Sequence, residues 1–192
     1  MPPKNSAALE FFLTRRSRPA KTLIAPVPDD AELTMLLTAA ARTPDHGKME
    51  PWRFIVLRGA AFARLSALVA ERGAALGKSQ EDIAKAQNQF DMGNLAVVVV
   101  EAQKPSEKIP PLEQTYSAGA ACLALLNAAL ASGWGANWLS GWPSHDPEFC
   151  RSGFSLTDGE RVAGIIHIGT EKSAPPERPR PDVAALTTWM DT

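Results

Sequence analysis

The chain has 192 residues, 45% of them hydrophobic, with 20 Lys and Arg against 21 Asp and Glu. That length suits a single domain over residues 1–192, and the balanced charge argues against a nucleic-acid binder, which usually carries a basic excess. Cys122, Cys150 and three histidines offer no C-x-x-C and no metal-ligand spacing, so reduced thiols, a cytoplasmic setting and no metal are expected.

The N-terminal stretch lacks a long apolar core followed by small residues, so it does not read as a signal peptide. Ala8, Leu9, Phe11, Phe12 and Leu13 predict a short amphipathic helix over 6–16. Ser17-Arg18-Pro19 breaks it, because the residue before proline avoids the α region. Asp29 or Asp30 caps a second helix, 30–42, with Leu33, Leu36 and Leu37 on one face and Pro44 ending it. Residues 52–57 form a strand, followed by a helix over about 60–76. Ser79 with Asp82 resembles a capping box that opens another helix. The β-branched run 96–100 reads as a strand buried on both faces. The longest helix lies within 111–132. From Ala118 to Ala131 it is apolar nearly all round, which suggests a partner chain over one face. The same stretch is too short to span a bilayer, which needs about 20 residues. Gly133-Trp134-Gly135 ends that helix. A short strand over 137–139, a short helix over 146–152 and a strand over 162–168 follow, then an extended proline-rich tail. Helices outnumber strands without βαβ alternation, which points to an α+β fold.

Several familiar signals fail. G-A-A-L-G-K-S, 73–79, has three residues between its glycines where a phosphate loop has four, and it follows a helix. G-W-G-A-N-W, 133–138, lacks the third glycine and the preceding strand of a dinucleotide fingerprint. No G-x-S-x-G exists.

Three stretches remain. Arg15, Arg16 and Ser17 offer fork-shaped donors suited to a phosphate or a carbonyl-rich heterocycle edge, although, taken alone, cations at a helix end more often just favour the negative end of its dipole. The loop 42–52 crowds Arg42, His46 and Lys48, which is costly without an anion to answer them. In Gly133–Gly141, glycines allow close backbone approach beside Trp138, Leu139 and Ser140.

Together these stretches resemble the nitroreductase family of FMN-dependent flavoproteins that use NAD(P)H, and in particular its short bacterial branch. The markers are L-T-R-R-S-R (13–18), A-A-A-R-T-P-D-H-G-K-M-E-P-W-R-F (39–54), S-A-G-A-A-C-L-A-L (117–125), G-W-G-A-N-W-L-S-G (133–141) and I-I-H-I-G-T (165–170), in the family's order along nearly the whole chain. The resemblance implies an α+β sandwich with a central, mostly antiparallel sheet flanked by helices, and an intertwined homodimer with FMN at the interface. It implies that Arg15, Arg16 and Ser17 contact FMN, that Arg42 and His46 do so from the partner chain, and that Trp138, Leu139 and Ser140 line the flavin. It assigns Ala128, Ala129, Leu130, Ala131, Ser132 and Gly133 to the nicotinamide nucleotide, although core packing accounts for that segment equally well. NADH or NADPH would be the donor and a small electron-poor molecule the acceptor, with flavin rather than a side chain carrying the chemistry. An FMN-binding protein without turnover and an FMN-linked dehydrogenase of one metabolite stay open, because one fold serves several chemistries. The sequence departs from the family at Leu139, where relatives often carry a basic residue. Arg178 or Arg180 of the tail could replace that cation.

Overall fold

The computed structural model describes residue 1 and residues 3–191. Helix α1 (Ser6–Thr14) is capped by the Asn5 side chain and stops two residues earlier than predicted, because Arg15 is already extended. A two-residue strand β1 (Leu23–Ile24) follows, too short for a sequence pattern to reveal. Helix α2 (Asp30–Ala40) opens on a full capping box, in which Asp29 accepts from the Glu32 N–H and Glu32 from the Asp29 N–H. It closes before Arg42, so the predicted end at 42 moves back one half-turn.

Strand β2 (Trp52–Arg58) leads into helices α3 (Ala60–Ala75) and α4 (Gln80–Asp91). Ser79 caps α4 through the Asp82 N–H, but Asp82 takes the Ser79 hydroxyl instead of its backbone, so the box is one-sided. Strand β3 (Leu95–Ala102), helix α5 (Pro111–Ala131), strand β4 (Gly135–Leu139), helix α6 (Pro147–Phe154) and strand β5 (Glu160–Glu171) complete the chain.

The sheet runs β1-β5-β3-β2, with β4 also pairing β5, and every pairing is antiparallel. Successive residues of a strand face opposite sides. Accordingly Ala96, Val98 and Val100 pack with Leu65, Phe90 and Phe149 on one face. Leu95, Val97 and Val99 pack with Leu36, Cys122 and Leu125 on the other. Residues 95–100 of β3 are therefore fully buried, as the β-branched run predicts. The architecture is α+β, helices on both faces of an antiparallel sheet.

Helix α5 is not covered all round within this chain. Ala118, Ala121, Cys122, Leu125 and Ala129 are buried, whereas Leu112, Tyr116 and Leu123 lie open on other positions. Among the described residues no helix is long and apolar enough to cross a membrane.

Candidate functional site

The first element is a knot of arginines beyond α1. The Arg18 N–H donates to the Ala136 carbonyl at 2.8 Å, and Asn137 Nδ2 donates to the Arg18 carbonyl at 2.8 Å. These bonds staple residues 15–18 to the start of β4. Arg15 Nη2 donates to Ser17 Oγ at 3.2 Å, while Arg15 Nε is buried with no hydrogen-bond partner among the described residues. Burial and then the positive charges of Arg180, Arg16 and Arg18 push the Arg15 guanidinium below its ordinary value. Among the described residues, two carboxylates answer the four arginines. Glu177 pairs with Arg16 at 3.3 Å and Arg180 at 3.0 Å; Glu171 pairs with Arg18 at 3.3 Å, without hydrogen-bond alignment. An unsatisfied buried donor amid surplus positive charge fits a phosphate group, which offers three acceptor oxygens and nearly two negative charges. Of the two tail cations, Arg180 reaches this knot. The Arg178 backbone N–H donates to Glu177, and its side chain has no hydrogen bond or ion pair among the described contacts.

The second element is the loop 42–50. Trp52 Nε1 donates to Ser117 Oγ at 3.1 Å, and Ser117 Oγ donates to the Pro44 carbonyl at 2.9 Å. The Pro-Trp pair that begins β2 thus ties the loop onto α5. Gly47 takes a left-handed φ of 71°, and a Cβ there would come within 2.4 Å of Ile109 Cδ1. Lys48 and Glu50 are also left-handed, at φ 55° and 48°. Such a backbone is strained in residues bearing a Cβ, and strain of this kind collects at ligand sites. Arg42 is exposed, and His46 Nδ1 meets Glu113 Oε2 at 2.6 Å on the first turn of α5.

The third element is β4 and its exit. Trp138 is 37% exposed and lies across Gly164, where a Cβ would meet its indole Nε1 at 2.1 Å. Leu139 is half-buried, and the exposed Ser140 hydroxyl sits 3.1 Å from His145 Nε2. In residues 128–133, Ala129 is wholly buried in the core with Ala128 and Leu130 packed beside it, whereas Ala131, Ser132 and Gly133 are exposed.

The structure brings Arg15, Arg16, Ser17 and Arg180 together and places Trp138–Ser140 along the strand they are stapled to. It does not bring Arg42 and His46 to them. His46 sits at the start of α5 and Ala136 lies just past its end; the 21-residue helix between them is roughly 30 Å long. A cleft of about 850 Å³ between α5, α6 and the start of β5 contains none of the predicted site residues. Its one well-buried carboxylate, Glu101, is already satisfied by Gln103, Thr115 and Arg161. The unanswered charge lies at the arginine knot, which is therefore the candidate site. Sequence reasoning missed Glu177, Ser117 and Gly164. Only the tertiary contacts give those common residue types their roles.

The model of the nitroreductase family matches residues 14–170. The chain belongs to the nitroreductase family. It is 36% identical over 163 residues to the protein named Putative NAD(P)H nitroreductase YdjA of Escherichia coli K12, covering 85% of this chain and 87% of that one. It is 34% identical over 165 residues to a Haemophilus influenzae protein named Putative NAD(P)H nitroreductase, covering 85% and 88%. The crystal structure of a nitroreductase-like family protein from Bacillus cereus superposes with a TM-score of 0.81 at 26% identity, covering 100% of both chains. A Desulfovibrio desulfuricans nitroreductase structure described as a complex with FMN superposes at 0.74 and 18% identity, covering 99% of this chain and 100% of that one, and so shares the fold. The nitroreductase match begins at Thr14, one residue before the arginine knot, and stops before the tail that carries Glu177 and Arg180.

Proposed function

We propose that this chain is an FMN-dependent oxidoreductase that uses NADH or NADPH to reduce an electron-poor small molecule such as a nitroaromatic or a quinone. The observation that carries the reading is the buried, unpartnered Arg15 Nε inside a knot of four arginines in a chain of the nitroreductase family. Bound FMN supplies the two-electron chemistry of a ping-pong cycle, oxidising one NAD(P)H to NAD(P)⁺ and then reducing the acceptor.

The protein's part is to hold, orient and cover. In this reading Arg15, Arg16 and Ser17 hold the phosphate and ribityl chain, with Arg180 supplying the cation absent at Leu139. Trp138, Leu139 and Ser140 form the wall beside the ring. Ala131, Ser132 and Gly133, the exposed end of the 128–133 segment, are open to the nicotinamide nucleotide, whereas the buried Ala129 supports them from the core. Arg42 and His46, at the far end of α5, act on the same cofactor only from a second copy of the chain. That makes a homodimer with two shared sites, and the open Leu112, Tyr116 and Leu123 supply apolar area for it to bury.

Colour is the first test. The purified protein should be yellow and release FMN on denaturation; a colourless preparation that takes up no added FMN would overturn the reading. Anaerobic mixing with NADH or NADPH should bleach the flavin absorbance quickly. Binding without bleaching would instead indicate an FMN-binding protein, and reoxidation by a single metabolite alone a dedicated dehydrogenase.

A further inference from the structure

We infer that Glu177 is a built-in competitor for the phosphate seat: its carboxylate occupies Arg16 and Arg180 and must be displaced by an incoming phosphate ester. The identity of that ester, FMN, rests on the reading above; the competition itself does not.

One carboxylate oxygen, Glu177 Oε1, accepts from the Arg178 N–H at 3.0 Å and lies 3.3 Å from Arg16 Nη1 and 3.0 Å from Arg180 Nη2. Glu177 and Arg180 lie in the proline-rich segment Pro175 to Pro181. An extended proline-rich chain repeats about every three residues, so positions 177 and 180 project to the same side and meet the knot together. The carboxyl is held below its ordinary value, first by the Arg178 N–H and then by the charges of Arg180 and Arg16, so it is ionised when it occupies them. Arg15 is left out of this arrangement, with its Nε buried and unpaired.

The bridge is made to be broken. The Glu177 side chain is 65% exposed, and exposed ion pairs are weak and screened. A phosphate monoester brings nearly twice the charge and three acceptor oxygens, enough to take Arg16 and Arg180 from the carboxylate and to satisfy Arg15 as well. A flavin without phosphate has no group with which to displace Glu177. Glu177 and Arg180 lie in the tail, beyond the residues 14–170 that match the family model.

The test is Glu177→Gln, which keeps the side-chain shape, removes the charge and leaves the core untouched. Apo-protein is titrated with FMN and with riboflavin by flavin fluorescence, and with inorganic phosphate by calorimetry. FMN binding should tighten about tenfold, the order expected for two exposed ion pairs, with riboflavin unchanged. Equal or weaker FMN binding by the variant would overturn the inference, since Glu177 would then merely orient the arginines. If the wild-type protein takes up neither flavin, the FMN reading alone fails and the phosphate arm decides. Stronger inorganic phosphate binding by Glu177→Gln then supports the competitor role, and unchanged binding refutes it.

Discussion

Ser117 ties the Arg42–Glu50 loop to the body of the protein, and removing its hydroxyl tests that role directly. The residue is 6% exposed on α5, accepts from the Trp52 indole N–H at 3.1 Å and donates to the Pro44 carbonyl at 2.9 Å. Ser117→Ala breaks both bonds by deleting one atom. Pro44 is exposed, so water can take over its carbonyl; the half-buried Trp52 N–H has no such ready replacement. One stranded buried donor costs about 1–3 kcal/mol, and the higher helix propensity of Ala returns a few tenths, leaving a net loss of about 1–2 kcal/mol. For a chain of this size that lowers Tm by about 3–6 °C. The same change frees the loop that carries Arg42 and His46, so on the proposed function FMN retention should fall with it. Urea unfolding with an unchanged m value and scanning calorimetry read the first effect, and flavin release on dilution the second. A Tm within one degree of wild type would refute the claim that the bridge anchors the loop.

Other consequences follow from buried groups. Burial alone lowers the His167 imidazole to about 4, so below pH 6.5 the unfolded chain binds a proton that the folded one refuses. Stability should therefore decline as pH falls from 6.5 to 4, by at most about 3 kcal/mol. A His167→Gln variant with the same slope of urea midpoint against pH would contradict this. Hydrogen bonds from Arg53 hold Glu160 down to about 2, so its contribution is complete above about pH 4.5 and is lost as pH falls through 2. Arg53→Met should move that acid limb to higher pH. Gly164→Ala forces a methyl against the Trp138 indole and should turn the ring outward, lowering flavin affinity more than stability; an unchanged affinity would remove Trp138 from the site. Burial raises Cys122 to about 12 and Cys150 to about 11, so native protein at pH 8 should react with thiol reagents only as fast as it opens, and rapid labelling would count against their burial.

The helices and strands with strong periodicity were legible in the sequence, and so was the presence of a ligand site. Apolar spacing in α2, β-branched residues in β3 and the Ser79 cap act within a few residues, so they survive in a one-dimensional reading. Boundaries moved where a local competitor acted: Arg15 extends early and ends α1, and Asp146 caps α6, which starts at Pro147 and runs on to Phe154. Strand β1 escaped notice because two residues paired to the end of β5 carry no pattern of their own.

The arginine pair, the loop crowded with Arg42, His46 and Lys48, and the order of the motifs were readable along the chain, because composition and spacing are enough to specify them; the left-handed backbone at Lys48 and Glu50 was not. Which charges meet is set by the fold. It chose Arg180 over Arg178, set Glu177 against Arg16 across 161 positions, and separated His46 from Arg15 by the length of α5. Those outcomes depend on where the chain turns back on itself. Coulomb energy and desolvation follow distance in space, and the linear sequence does not record it.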